Sequence, residues 1–358
     1  MDFYDFYEFA SRQNLSHENQ SNTVDGVCRY DRNSLMFTVV PVYIGIISAL
    51  GIILNVFVLM VFCLHKKACT VAEIYLSNLA AADLFLVSML PFWAVNVAKR
   101  YTWPFGESLC KLVPFSITMN AYCSIYTLVL VSIDRYLALV HPLTTESVRR
   151  PLYAKLACVV VWGVCVLLNV PVLIYRKIRE SDTACFNAYP TETKKETETA
   201  INITNVILSF IIPILIIFFC TLKIIHALRN RLRDSLNTEG KEQKATTLIL
   251  IVLLAFLICW VPYHVIKILD LLSRHNILTR CDMYLNLTQQ IFFYFAFFNS
   301  VLNPILYVCV GRNFRKKVKE VFSQMSNKRK STFSLVSTRT NLSRSVGTQE
   351  ATKSSAYL

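Results

Sequence analysis

The chain has 358 residues, 54% of them hydrophobic and only 17% charged, too apolar for an ordinary soluble domain. Its formal net charge is +14, but the bases collect in short segments, a pattern suited to anionic membrane lipid and a cytoplasmic partner and not to nucleic acid. A membrane is therefore the expected solvent, and an all-α membrane protein the expected class.

A spanning helix needs roughly 20 apolar residues, and seven stretches meet or approach that, at about 37–64, 71–98, 107–140, 152–175, 200–228, 245–272 and 286–310. The expected organisation is an extracellular N-terminus over 1–36, a seven-helix transmembrane bundle over 37–310, an amphipathic juxtamembrane helix over 311–323 and a disordered cytoplasmic tail over 324–358. The opening MDFYDFYEF is acidic and aromatic, unlike a cleavable signal peptide, so the first span is expected to serve as its own insertion signal. Asn14 and Asn19 head glycosylation sequons in this outer segment. Segments 65–70, 141–155, 223–244 and 311–358 hold 22 Lys or Arg against 6 Asp or Glu, which assigns them to the cytoplasm.

The first span carries a lone Asn55, the second a lone Asp83, and the seventh the run Phe298-Asn-Ser-Val-Leu-Asn-Pro-Ile-Leu-Tyr307. A carboxylate is costly in hydrocarbon, so these residues are expected to face the bundle interior and one another; for Asn55 the competing reading is simple helix-to-helix glue. Asp134-Arg135-Tyr136 sits at the inner end of the third span, just before His141-Pro142 and a basic loop. Pro171, Pro213, Pro262 and Pro304 each free the carbonyl four residues earlier and are expected to kink their spans. Of twelve cysteines, Cys28, Cys110, Cys185 and Cys281 fall on the outer side, where pairing is allowed and three connectivities are open. After Gly311, Phe314, Val318, Val321 and Phe322 share one helical face against bases on the other, the pattern of a helix lying in the membrane surface. Residues 327–358 are rich in Ser and Thr, which suits phosphorylation.

Transporters often show internal repeats and spans broken by Gly, whereas this chain has only eight Gly and no visible repeat. Catalysis is not indicated either. There are no paired catalytic carboxylates and no Gly-x-Ser-x-Gly or His-Glu-x-x-His, and His226 and His264 lie on separate spans, where they are expected to be pocket or surface residues.

Taken in order, Asn55, Leu79-Ala-Ala-Ala-Asp83, Trp103 with Cys110, Asp134-Arg-Tyr136, Trp162, Pro213, Cys259-Trp-Val-Pro262 and Asn303-Pro-Ile-Leu-Tyr307 resemble the marks of the rhodopsin-like (class A) G-protein-coupled receptors. The resemblance covers about residues 37–322. Within that family, Phe62-Cys-Leu-His65, Ala72-Glu-Ile-Tyr-Leu-Ser-Asn-Leu-Ala-Ala-Ala-Asp83, Pro91-Phe-Trp-Ala94, Val131-Ser-Ile-Asp-Arg-Tyr-Leu-Ala-Leu139 and Val310-Gly-Arg-Asn-Phe-Arg-Lys-Lys317 are similar to the bradykinin (kinin) receptors. Angiotensin receptors, which share Trp103-Pro-Phe-Gly106, are the runner-up. The kinin receptor type that prefers ligand lacking its C-terminal Arg is known for a Lys in the third span. Thr118 stands at the matching position here, so the chain resembles the type preferring the intact peptide.

The resemblance implies a plasma-membrane receptor that couples an outer bradykinin-like peptide to a heterotrimeric G protein, of the phospholipase-coupled Gq kind, with receptor kinases and arrestin as further inner partners. It implies disulfides Cys110–Cys185 and Cys28–Cys281 at the mouth of a peptide pocket. Asp270 matches an acid of the family's ligand site, facing the Arg side chains that bradykinin carries at both ends. The family's second acid, at the start of the seventh span, is replaced by Asn286, which leaves two alternatives: Asp282 nearby as a substitute, or a pocket with Asp270 as its single acid. Trp93, Tyr263, Gln290 and Trp260 are expected to line the pocket. Asp83, Asn120, Ser124, Asn299 and Asn303 resemble the family's sodium cluster, so an allosteric sodium ion is the one cofactor expected. Asp134, Arg135, Tyr136, Asn303, Pro304 and Tyr307 match its inner switch. Two departures stand out: Thr221 replaces a Tyr common in the fifth span, and no Cys follows Cys309 to carry a palmitate anchor.

Overall fold

The computed structural model describes residues 36–66, 68–141, 150–179, 181, 183–234, 240–274 and 282–326. In hydrocarbon every backbone polar group must be satisfied within the segment, so each apolar stretch is helical. The first three spans are Met36–Leu64, Val71–Ala98 and Gly106–Val140. The fourth is Pro151–Leu168 continued by Val170–Tyr175. The fifth runs from Lys194 through a π-helical turn at Ile207–Ile211 to Asp234, and the sixth is Gly240–Arg274. Among the described residues six helices are long and apolar enough to cross a bilayer; the bent pair in the seventh position makes the next span, with Asp282–Ala296 and Asn299–Cys309. Residues 312–326 form a further helix.

Helices five and six extend past their apolar stretches into the basic segments between them. Hydropathy marks only the part of a helix that lipid touches, whereas backbone hydrogen bonding carries the helix on into water. The third span is the most deeply enclosed. Around the outside, Val42, Ile53, Val159, Leu167, Leu215 and Phe218 are each more than half exposed, the face a lipid-soaked bundle presents. Inside, one continuous apolar cluster runs through all spans except the fourth and takes in Phe314 of the last helix.

Side chains from neighbouring helices satisfy carbonyls freed by proline. Pro304 frees the carbonyl of Ser300, and Asn55 Nδ2 donates to it at 2.8 Å as well as to Gly51 O at 2.9 Å. Pro91, which the sequence reading left out of its kinks, frees the carbonyl of Val87, and Ser48 Oγ donates to it at 2.7 Å. Gly51 allows that contact between the first two spans, because a Cβ there would lie 2.6 Å from Val87 Cγ1. Ahead of Pro213 the π turn displaces its carbonyls, and Tyr126 Oη donates to Leu208 O at 3.0 Å. The seventh span breaks at Phe297–Phe298 and bends by 41°.

One end of the bundle is closed by an antiparallel hairpin, β1 (Arg176–Ile178) with β2 (Cys185–Asn187), in which Ile178 pairs with Cys185. Cys185 is disulfide-bonded to Cys110 in the first turn of the third span, with Cα atoms 5.7 Å apart. Trp103-Pro-Phe-Gly106 leads into that turn. Gly106 takes φ +77°, where a side chain is strained, and its carbonyl accepts Trp103 Nε1–H at 2.9 Å. At the opposite end, Phe314 packs edge-on against Phe62 and Phe57, at centroid distances of 5.5 and 6.2 Å. Lys317 pairs with Glu73 at 2.8 Å and His65 with Glu320 at 2.9 Å. Arg315 donates to the terminal Cys309 carbonyl of the seventh span at 2.7 Å. The last helix is thus docked by side chains of this chain.

Candidate functional site

Three groups of polar residues are stacked along the bundle. The first is a cavity at the hairpin end, walled by the third, fourth, fifth, sixth and seventh spans and by Tyr189, just after β2. Its floor is aromatic: Trp260 stacks on Phe256 with centroids 5.9 Å apart, Tyr263 meets Trp260 at 6.2 Å and Phe293 at 5.8 Å, and His264 stacks on Phe210 at 4.6 Å. Its side walls carry Thr118, whose hydroxyl bonds Asn169 and the Pro114 carbonyl, and Tyr122, which donates to Asn205 at 2.7 Å. Asn169 occupies the break in the fourth span just ahead of Pro171, so the proline step is what turns this amide toward the third span.

Of the residues expected to line a pocket, Thr118, Trp260 and Tyr263 do so. Trp93 is buried in the main apolar cluster. Gln290 has its carbonyl oxygen buried with no hydrogen-bond partner, and Asp270 is buried on the sixth span, one turn beyond the cavity wall at Lys267. Asp282 and Asn286 lie in the first turns of the seventh span, with side chains outside what is described. Cys28, Cys281, Asn14 and Asn19 lie outside the described residues.

The second group surrounds Asp83, which is 0% exposed. Its carboxylate accepts from Asn120 Nδ2 at 2.9 Å, Ser300 Oγ at 2.7 Å and Asn303 Nδ2 at 3.0 Å, joining the second, third and seventh spans. All three donors are neutral. Ser300, part of the seventh-span run expected to face inward, was not among the residues expected in this cluster; Asn299, which was, is buried with both amide atoms unpartnered, as are Ser124 Oγ and Asn303 Oδ1. A buried carboxylate held only by neutral donors, with the oxygen of its partner Asn303 left unused, fits a small hard cation.

The third group is at the far end. Arg135 Nε donates to Asp134 Oδ2 at 2.9 Å and its Nη2 reaches the same oxygen, both residues being buried. Side chains one residue apart point about 100° apart around a helix, so the pair forms only because the long Arg135 side chain folds back. Tyr136 instead reaches His141, 3.1 Å away, and packs near Phe219. Tyr307 is fully buried, with its hydroxyl unpartnered and its ring edge-on to Phe314. Pro304 supplies the freed carbonyl described above.

Sequence reading missed Tyr122, Asn205 and Lys267 in the cavity wall, whereas His264, read as a pocket or surface residue, does line it. Lys267 had a signal: Trp260, Tyr263, His264 and Lys267 fall at i, i+3, i+4 and i+7, one helical face, and a Lys on the inner face of a span is a functional residue by default.

The model of the 7 transmembrane receptor (rhodopsin family) matches residues 54–307. The chain is 44% identical over 299 residues to the B2 bradykinin receptor of Homo sapiens, covering 81% of this chain and 76% of the relative. It is 42% identical over 288 residues to the B2 bradykinin receptor of Oryctolagus cuniculus, covering 78% of each. The B1 bradykinin receptor of Homo sapiens is 39% identical over 302 residues, covering 82% of this chain and 85% of that one. Motif order, bundle and likeness agree: the chain belongs to the rhodopsin family of seven-transmembrane receptors and, within it, to the bradykinin receptors, which are not enzymes.

Proposed function

We propose that this multi-pass membrane protein is a G-protein-coupled receptor for kinin-type peptides, with the hairpin end and N-terminus outside the cell, and the Arg135 end and C-terminus inside. The observation that carries this reading is the 44% identity to a B2 bradykinin receptor over 299 residues. An aromatic-floored cavity at the end of the bundle that carries the Cys110–Cys185 bridge supports it, because such a floor suits the Phe and Pro side chains of a kinin. Asp270 is assigned to an Arg of the peptide, with Asp282 as a second acid. Trp93 and Gln290 are assigned supporting places around the cavity, and Asn286 a place at its rim.

A ligand shifts a conformational equilibrium only by binding one state better than another. The peptide is assigned a preference for a state in which the sixth span has swung outward about Pro262. In the resting state Asp134 holds Arg135; release of that pair, with rearrangement around Asn303, Pro304 and Tyr307, presents Arg135 to the G protein. A sodium ion, when bound, supplies a counter-charge for Asp83, with Ser124, Asn299 and Asn303 as further oxygen donors. Asn120 and Ser300 orient the carboxylate in either case. We assign Gq as the partner, the second disulfide to Cys28 and Cys281, glycans to Asn14 and Asn19, and receptor kinases and arrestin to the Ser/Thr-rich tail.

The test is a calcium signal in cells expressing the full chain. Intact bradykinin should evoke it at lower concentration than the peptide lacking its C-terminal Arg, and a Gq inhibitor should abolish it. Silence to both peptides despite surface expression would remove the kinin assignment; a signal untouched by the inhibitor would remove Gq.

A further inference from the structure

Lys267 is 8% exposed, lies within the apolar stretch Leu250–Leu272 and lines the cavity. A cation enclosed within a span is costly and marks a functional residue by default. Around it the wall is made of aliphatic, aromatic, hydroxyl, amide and imidazole groups; among the described lining residues there is no carboxylate, and Lys267 carries the one fixed charge. A cavity whose fixed charge is positive selects an anionic group in its ligand. A linear peptide offers one reliably at its C-terminus, whereas its N-terminus is a cation and, in bradykinin, is followed at once by an Arg side chain. The charge of the wall therefore decides which end of the peptide goes in.

Asp270 adds the second half. It is three residues further along the same helix and thus on the same face, one turn toward the hairpin end, and it is 4% exposed. The order along the helix is cation deeper, anion nearer the mouth. A C-terminal Arg residue has the complementary pair, with a backbone carboxylate at its end and a guanidinium on a long stem that can reach back toward the mouth. Lys267 and Asp270 each hold an interaction within the protein already, but an ammonium has three donors and a carboxylate several acceptor sites, so each can keep one partner and take another.

We propose that Lys267 is a specificity-determining residue of the cavity, an anion-reading group that takes the C-terminal carboxylate of the peptide. This inference rests on the kinin reading above for the identity of the peptide and on the cavity alone for the chemistry. It separates two properties that sequence comparison treats as one: the third span offers the neutral Thr118, while the sixth supplies a cation to the same cavity.

The experiment compares bradykinin with its C-terminal amide by competition binding on membranes bearing the full-length wild-type chain, Lys267→Met and Lys267→Arg, with surface expression measured by an N-terminal epitope tag. Methionine keeps the length and apolar stem without the charge. Wild type should favour the free acid by about ten- to a hundredfold, the size of a charge-assisted contact. Lys267→Met should bring acid and amide to within about twofold, chiefly by weakening the acid, and Lys267→Arg should restore most of the preference. A preference unchanged in Lys267→Met, or equal binding of acid and amide by wild type, overturns the proposal. Should bradykinin bind wild type not at all, the kinin reading fails, and a second arm decides the carboxylate site: thermal protection of purified receptor by N-acetyl-phenylalanine but not by its amide, lost in Lys267→Met, upholds it. Equal protection by acid and amide, no protection by either, or protection by the acid surviving in Lys267→Met overturns it.

Discussion

Asp270 and Arg135 are both charged residues buried within a span, yet their surroundings assign them opposite tasks. Asp270 stands one turn from an aromatic cavity, so its substitution should act on binding. Asp270→Ala is expected to weaken bradykinin by more than about tenfold through loss of a charge-assisted contact, with surface expression maintained; unchanged affinity in a radioligand assay removes it from the site. Arg135 is held by its neighbour Asp134 at the far end of the third span, away from the cavity. Arg135→Ala should therefore leave kinin affinity within about threefold while the calcium signal is lost, an additive-site expectation for groups this far apart. A variant that still signals fully would place the coupling surface elsewhere. From sequence the trio at 134–136 is legible as a charged interruption of an apolar helix; that Tyr136 reaches His141, apart from the Asp134–Arg135 pair, is not.

At the scale of the element, the proline kinks are held by donors from other helices. Asn55, which sequence left between helix glue and function, serves the carbonyl that Pro304 frees. Removing one partner of a buried hydrogen bond leaves the other unsatisfied, at about 1–3 kcal/mol, and Ser300 is buried in the bundle interior. Asn55→Ala should accordingly lower the thermal stability of the purified receptor by an amount of that order, and more than Ser77→Ala, whose hydroxyl bonds only its own helix at Glu73 O. Equal effects of the two substitutions would mean that the Ser300 carbonyl has found another donor. The last helix shows the same economy of means. No Cys follows Cys309 in the sequence, and Phe314, Lys317, Arg315 and Glu320 fasten this helix to the first two spans, the loop between them and the seventh.

For the whole molecule, the Asp83 cluster lies on three spans at once, so its occupancy bears on how the bundle closes. If a sodium ion stabilises the resting state, replacing choline chloride by sodium chloride should lower agonist affinity in the wild type by a few-fold, in line with allosteric couplings of about 1–3 kcal/mol. Asn120→Ala, which removes one donor to the carboxylate, should shift basal inositol phosphate production; identical basal output together with no sodium effect would reduce the cluster to structural packing. The sequence by itself determined that the chain is a bundle of seven apolar helices with its polar residues turned inward. Hydrocarbon enforces that arrangement on each helix separately, through its length, its composition and the cost of an exposed polar group. It also determined, by the order of its motifs, the family. Only the tertiary structure decided partners. The break at Phe297–Phe298 bends the seventh span by 41°, and it is Ser300, next to Asn299 in sequence but about 100° further round the helix, that reaches Asp83. Likewise Lys267 becomes a wall of the same cavity as Thr118 only once the third and sixth spans are packed together. Periodicity fixes which face of a helix is polar. The rotation and bend of that helix against its neighbours fix what the face meets, and these depend on contacts far apart in the chain.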